Sequence, residues 1–152
     1  MKFLLQVVKR ASVDVDNVTI GSIENGYLLL AGFCDTDTEE LADKMIKKMV
    51  NLRIFRDEND KTNLSIKDVN GEILVVSQFT LYADCKKGNR PSFINAGSPE
   101  HANKLYEYVK EHIKSDYDIN VSSGSFGADM KVSLVNDGPF TVMLDSNEIF
   151  GN

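Results

Sequence analysis

The sequence predicts an α/β fold in which layered, barrel-like β-sheets carry two amphipathic helices packed on one side. Strand-length apolar runs separated by turn residues fill the first quarter and the last third of the chain. Two segments, residues 39–52 and 99–113, instead show helical periodicity. The resulting order of strands, helix, strands, helix and strands favours layers around one core. With no internal repeat and no boundary signal, we expect one domain over residues 1–152.

Composition narrows the class of protein. The 152 residues are 42% hydrophobic and 26% charged, which is typical of a globular domain. The apolar run at residues 1–6 is too short for a signal peptide or a membrane span, so we expect a cytoplasmic protein without a membrane partner. Cys34 and Cys85 lie far apart and indicate neither a disulfide framework nor a zinc site. A net charge of -6 argues against broad electrostatic attraction to nucleic acid, so a nucleic-acid partner would need a local basic patch, and we expect no DNA partner.

The N-terminal quarter is predicted to be a β-meander. Residues 2–8 form a mostly apolar strand, and residues 12–16 alternate as a half-exposed antiparallel strand. Asn25 and Gly26 then form a strong hairpin-turn signal before a buried strand at residues 27–31.

Each predicted helix has a recognisable start and one apolar face. Thr36 and Glu39 are spaced as a capping box for the first helix, and Ser98 followed by Pro99 begins the second. The apolar faces comprise Leu41, Ala42, Met45, Met49 and Leu52 in the first helix, and Ala102, Leu105, Val109 and Ile113 in the second. We expect the methionines to be core residues and Lys44, Lys47 and Lys48 to form a solvated face.

The central strand is predicted at residues 71–82, where the apolar run I-L-V-V continues into S-Q-F-T-L-Y. Strand alternation would point Gln78 and Thr80 to the same side, so this polar strand end is a candidate site. An ordinary strand end bonded to neighbouring backbone remains the alternative. Near the C-terminus we expect strands at residues 131–135 and 140–144 joined by a sharp turn, and a polar tail that frays.

The chain lacks the common catalytic motifs. It has no glycine-rich phosphate loop, nucleophile elbow or H-E-x-x-H, and His101 and His112 belong to no metal-ligand pattern. We therefore expect an enzyme, if it is one, to work without a metal, a cofactor or a histidine-based triad. Backbone N–H groups at the end of a strand that stops pairing can stabilise an oxyanion and require no particular side chain.

Three segments carry a resemblance to a known family. S-Q-F-T-L at residues 77–81, K-K-G-N-R-P-S-F at 86–93 and L-V-N-D-G-P-F-T at 134–141 occur in the order found in the D-aminoacyl-tRNA deacylases. The likeness extends over nearly the whole chain. It implies a cytoplasmic homodimer that hydrolyses the ester between a D-amino acid, or glycine mischarged on tRNA-Ala, and the terminal adenosine of tRNA.

The resemblance also implies roles for particular residues. Ser77, Gln78, Phe79 and Thr80 would form the catalytic pocket, and the N–H groups of the last three would face the ester carbonyl. The Thr80 hydroxyl has no base nearby in sequence, so we expect it to position rather than attack. In the family, the ribose 2′-hydroxyl of the substrate is thought to help activate water.

The same resemblance assigns substrate and tRNA contacts. Gly138 and Pro139 match the family's Gly-cisPro motif, which one subunit inserts into the other's pocket to hold the α-amine and exclude an L side chain. Phe126 and Met130 match a segment beside the pocket. The basic residues of the long loop at 84–97, where a solvated charged loop is the alternative, are candidates for phosphates of the tRNA acceptor end: Lys86, Lys87 and Arg90.

One departure from the family and two other functions stay open. Many family members have arginine after the N-terminal glutamine, bracing the Gly-Pro loop, but here Val7 follows Gln6. Either Lys9, Arg10 or backbone contacts brace the loop here, or the loop is held less rigidly and rejects L-amino acids less strictly. The same pocket would also suit a non-catalytic module that binds aminoacyl-tRNA, or an editing domain that works beside a synthetase.

Overall fold

The computed structural model describes residues 1–151 and confirms the predicted α/β class with a barrel-like sheet. The strands are β1 (Lys2–Val15), β2 (Val18–Ile23), β3 (Gly26–Gly32), β4 (Phe55–Arg56), β5 (Thr62–Leu64), β6 (Glu72–Ser77), β7 (Val121–Ser123) and β8 (Lys131–Asp145). The helices are α1 (Glu39–Val50), α2 (Pro99–Tyr117) and α3 (Ser146–Phe150), with a 3₁₀ helix at Phe79–Tyr82. No helix within residues 1–151 is both long and apolar enough to cross a membrane.

The long strand β1 organises the main sheet. One edge pairs antiparallel with β3 over residues 2–8 and with β2 over residues 11–15, while β8 pairs along the other edge. Beyond β3 the sheet continues with β6 and β7, both in parallel pairing. The Ser122 hydroxyl on β7 donates to the Ser22 carbonyl of β2 at 2.9 Å, so the two ends of the sheet nearly meet.

Both faces of the central strand β6 are buried, as its apolar run predicts. Ile73 and Val75 pack in the cluster shared with the helices, whereas Leu74 and Val76 pack in a second cluster formed by strand residues and enclosed by the curved sheet. Such two-sided burial requires an unbroken apolar strand rather than an alternating one.

Helices α1 and α2 pack on the same side of the sheet, as expected from their apolar faces. The prediction that Thr36 caps α1 is wrong, because Thr38 does so, its hydroxyl accepting from Leu41 N at 3.1 Å. Ser98 precedes α2 but makes no side-chain cap, and its own N–H donates to Asp35 Oδ1 at 2.7 Å. The tail predicted to fray instead forms α3, which Asp145 caps by accepting from Asn147 N.

The closing segment is one strand with a loop inside it, rather than two strands joined by a sharp turn. Gln6 pairs with Thr141 and Val8 pairs with Asn136, so residues 137–140 have only Val7 opposite them and bulge out of β8. This bulge contains the Gly138–Pro139 peptide bond, which is cis, and Gly138 has φ +139°, a region that favours glycine.

The central strand is shorter than predicted. β6 ends at Ser77, where its pairing with Ala31 ends, and the chain turns into the 3₁₀ helix instead of continuing to residue 82. Without a neighbouring strand, the backbone bonds to itself, as in Leu81 N donating to Gln78 O. The S-Q-F-T residues therefore lie where a buried strand ends and the 3₁₀ helix begins.

Candidate active site

A pocket of about 550 Å³ opens where β3 and β6 end. Its other walls are the start of α2 and the segment that leads from β7 into β8. The lining is mainly apolar or small, with a few polar groups at the β6 end, which is the usual character of a small-molecule site.

The pocket brings together sequence-predicted residues that lie about 50 positions apart. Ser77, Gln78 and Phe79 form the wall at the end of β6, and Phe126 and Met130 lie in the wall leading to β8. The packing of Phe126 on Tyr106 of α2, with ring centroids 5.8 Å apart, links this second wall to the helical layer.

The backbone at the β6 end offers two free donors. Phe79 and Thr80 begin the 3₁₀ helix, so their N–H groups have no acceptor within that helix. The N–H of Gln78 donates to Ala31 O at 2.8 Å, so the expectation that it faces the substrate is wrong. The physical reason is that this N–H makes the final hydrogen bond between β3 and β6. The start of the 3₁₀ helix thus has two adjacent N–H groups able to stabilise negative charge, and Phe79 is the one of the two residues that lines the pocket.

The side chains of Gln78 and Thr80 contact each other although they are not on a strand. Gln78 Nε2 donates to Thr80 Oγ1 at 2.5 Å, across one turn of the 3₁₀ helix. The Thr80 hydroxyl is exposed, and Thr80 itself is outside the pocket lining. This arrangement places the hydroxyl as an acceptor for Gln78.

Tyr106 supports the pocket from behind. Its hydroxyl donates to the Val75 carbonyl at 2.9 Å, and burial raises its pKa to about 12, so it stays protonated at neutral pH.

Asp129 is the charged residue of the lining, and it pairs with Lys131 at 3.0 Å at the surface. Residues 1–151 contain no cluster of three or more His, Cys, Asp or Glu side chains suited to a metal ion.

The Gly138–Pro139 loop lies apart from the pocket of its own chain. Both residues are exposed, and neither belongs to the lining. The Asn136 side chain joins the two ends of the loop. Its Oδ1 accepts from Phe140 N at 2.9 Å, and its Nδ2 donates to Thr141 Oγ1 at 3.0 Å.

Lys9 lies beside this loop, as one of the sequence alternatives anticipated. Its Nζ is 3.5 Å from Asp137 Oδ2, with both side chains well exposed. Val7 lies directly opposite the bulge and is buried in the core. Its side chain is apolar, so it offers the loop no hydrogen bond.

The predicted tRNA contacts occupy a separate projection, which we call the basic finger, residues 84–92. Two backbone bonds between Asp84 and Ser92, 2.7 and 2.9 Å long, close its base. Lys86, Lys87 and Arg90 lie between them and are exposed. None forms an ion pair with any residue in the described part of the chain.

Sequence reasoning missed part of the lining. Phe93, Ala96, Gly97 and Ala102 contribute to the pocket. Ala102 was predicted only as a core residue of α2, and Phe93 lies within the K-K-G-N-R-P-S-F segment without an assigned role. The sequence signal that could have placed Phe93 near the pocket is its position in this segment, shortly before the start of α2.

The chain is similar to known proteins over nearly its whole length. The family model for D-Tyr-tRNA(Tyr) deacylase matches residues 4–145. D-aminoacyl-tRNA deacylases from Thermosipho melanesiensis and Clostridium novyi are 51% and 53% identical to this chain, each over 99% of it and the full length of the relative.

Two solved structures are also similar. One, titled c-Myc DNA Unwinding Element Binding Protein, has 40% identity and a TM-score of 0.90, covering 95% of this chain and 98% of that one. The other, a probable eukaryotic D-amino acid tRNA deacylase, has 20% identity and a TM-score of 0.78 over 94% and 97% of the two chains, and shows the fold alone. The full-length identity and the family match together establish that the chain belongs to the D-Tyr-tRNA(Tyr) deacylase family of enzymes.

Proposed function

We propose that this chain, a D-aminoacyl-tRNA deacylase, hydrolyses its substrate ester with backbone donors instead of a catalytic side chain. The observation that carries the proposal is that Phe79 and Thr80 begin a 3₁₀ helix just beyond the end of β6, where their N–H groups have no acceptor within the helix. They belong to the short helix that follows β6 beside a largely apolar pocket, where fixed dipoles stabilise charge with little reorganisation.

The proposed reaction joins water to the ester carbonyl carbon. The carbonyl electron pair moves onto oxygen, and the Phe79 and Thr80 N–H groups donate to that oxyanion. The ribose 2′-hydroxyl of the substrate relays the proton from the attacking water to the departing ribose 3′-oxygen. Collapse of the intermediate breaks the carbon–oxygen bond, releasing free D-amino acid and tRNA. Ser77 and the Gln78 side chain shape the pocket, and Phe126 and Met130 enclose the bound adenosine.

A matched pair of variants tests the backbone role. Phe79→Pro deletes one N–H at the first position of the 3₁₀ helix, where proline is tolerated because that donor has no partner in the helix. Phe79→Leu removes the aromatic ring but keeps the N–H. We expect single-turnover hydrolysis by Phe79→Pro to fall about 10²- to 10³-fold below that of Phe79→Leu. Equal rates would contradict a catalytic role for this N–H.

We further propose that the chain works as a homodimer in which each Gly138–Pro139 loop enters the partner's pocket. The loop is exposed and its own pocket does not use it, while the outer edge of β8 pairs with no strand among residues 1–151. In the partner's pocket, the loop carbonyls would hold the α-amine and leave no space for an L side chain. Glycine has no side chain to exclude, so glycyl-tRNA mischarged on tRNA-Ala would also be hydrolysed.

Subunit complementation tests this arrangement. Gly138→Ala strains the loop, since a Cβ there would lie 2.9 Å from Phe140 N, whereas Phe79→Pro damages the pocket. We expect each variant alone to be slow and mixed dimers to recover part of the activity, because one site in each mixed dimer combines an intact pocket with an intact loop. No recovery in verified mixed dimers would refute the exchange of loops.

For the tRNA itself, we propose that Lys86, Lys87 and Arg90 contact phosphates of the acceptor end. Their lack of internal partners leaves all three charges available. We place the reaction in the cytoplasm, where aminoacyl-tRNA is used in translation.

Hydrolysis of D-tyrosyl-tRNA and L-tyrosyl-tRNA by the purified chain, with a chelator present, tests the function as a whole. We expect rapid loss of the D ester alone. Binding of D-tyrosyl-tRNA with protection of its ester would identify a non-catalytic binding module. Activity that appears only after a synthetase is added would identify an editing domain that works beside it.

A further inference from the structure

Two exposed apolar side chains lie next to the pocket at the base of the basic finger. Phe93 and Ile94 are 37% and 85% exposed, respectively, and Phe93 also lines the pocket. The Phe93 ring meets Phe79 edge to face, with centroids 5.1 Å apart and planes at 76°. Phe79 is itself 56% exposed, so the two rings form an aromatic surface at the pocket mouth.

The finger adds positive charge to this surface. Within residues 85–97 the charged side chains are Lys86, Lys87 and Arg90, although the chain as a whole has a net charge of -6. The Asp84–Ser92 backbone bonds fix the finger directly before Phe93. An exposed aromatic ring beside a track of unpaired cations is the combination that proteins use to bind single-stranded nucleic acid.

We propose that Phe93 stacks on the base of the nucleotide immediately 5′ to the terminal adenosine of the substrate. This inference rests on the proposed function, in which the aminoacyl-adenosine fills the pocket interior. The RNA strand then leaves through the mouth, where Phe93 meets the next base and the finger cations meet the phosphates that follow. Stacking uses the face of a base and makes no hydrogen bond to its edge, so this contact does not distinguish between bases. It is therefore compatible with the 3′ end that all tRNAs share.

Two minimal substrates isolate this contact. D-tyrosyl-adenosine ends at the pocket, whereas the D-tyrosyl ester of the dinucleotide CpA adds the one base in question. We expect wild-type kcat/KM to be roughly tenfold higher or more for the dinucleotide, as one stacked base contributes. Phe93→Leu should bring this ratio close to that given by the added phosphate alone, measured with an abasic dinucleotide ester. Ile94→Ala, the matched control, should leave the ratio unchanged.

A spectroscopic readout separates this proposal from the proposed function. The chain contains no tryptophan, so Phe93→Trp introduces a single tryptophan at the mouth, whose fluorescence can be excited selectively at wavelengths too long for tyrosine to absorb. We expect the trinucleotide CpCpA to quench it, and the same trinucleotide with an abasic middle position to quench it much less. This outcome would support stacking even if the wild-type protein hydrolysed neither ester.

Three results would overturn the proposal. Equal quenching by the two trinucleotides would show that no base stacks at this position. An unchanged substrate ratio in Phe93→Leu, with both esters slowed equally, would mean that Phe93 only shapes the pocket. A change in sedimentation coefficient in Phe93→Leu would instead assign the aromatic surface to contact between two copies of the chain.

Discussion

Two buried tyrosines should respond in opposite ways to loss of the hydroxyl group. Tyr27 and Tyr106 are each only 1% exposed. The Tyr106 hydroxyl donates to Val75 O at 2.9 Å, whereas the Tyr27 hydroxyl has no partner within residues 1–151. Burial raises the pKa of Tyr27 far above its usual value, so this group is a neutral, desolvated donor without an acceptor.

The contacts set the size of each effect. Tyr27→Phe removes a buried, unbonded polar group, which should increase the free energy of unfolding by about 1 kcal/mol. Tyr106→Phe loses one hydrogen bond and should decrease it by about 1 kcal/mol. The loss is not greater because Val75 O still accepts from Gly124 N at 3.1 Å. Two chemically identical substitutions should therefore differ by about 2 kcal/mol.

Urea unfolding of both variants at one fixed protein concentration measures the difference, and fixed concentration removes any contribution from association. Thermal unfolding should show shifts of about 2–4 °C in opposite directions. If Tyr27→Phe destabilises the protein as much as Tyr106→Phe does, the Tyr27 hydroxyl has a partner and the reasoning fails.

Three other changes have definite expected outcomes. Thr80→Ala should lower single-turnover hydrolysis by tenfold or less, because the backbone N–H remains. A loss near 10³-fold would assign chemistry to the hydroxyl. Gly26→Ala should destabilise by about 3 kcal/mol or prevent folding, since the new Cβ would lie within 1.8 Å of Glu72 O, and near-normal urea stability would refute this close approach. The Lys61 N–H and other donors hold the pKa of Asp57 below its ordinary 3.8, so its stabilisation exists above that pH and is lost as pH falls through the lower folded value. Asp57→Asn should therefore be less stable at pH 7 and lose less stability between pH 5 and 2, as measured by urea midpoints.

The sequence predicted the strands and helices well where a periodic pattern coincided with burial on one or two faces. The apolar run of β6 and the faces of α1 and α2 appear as expected. The errors lie where neighbours decide. Thr36 and Thr38 are both good capping residues, and the path of the chain into α1 selects Thr38. Residues 145–150 are polar enough to fray, yet Asp145 caps them as a helix.

Much of the candidate site was also accessible from sequence. Ser77, Gln78, Phe79, Phe126 and Met130 were named from motifs and do line one pocket. The free and bonded backbone groups were not accessible, because no sequence pattern distinguishes the N–H of Gln78 from that of Phe79. Their difference arises from where the β3 partner ends.

By itself, the sequence determined the fold class, the family and the residue types at the pocket, because these follow from local periodicity and short ordered motifs. Only the tertiary structure decided that β6 ends at Ser77, that residues 137–140 bulge opposite Val7, and that Phe93 reaches the pocket mouth. Each of these depends on contacts between segments far apart in the chain. Hydrogen-bond partners and packing partners of that kind exist only once the chain has folded, so a local pattern has no information about them.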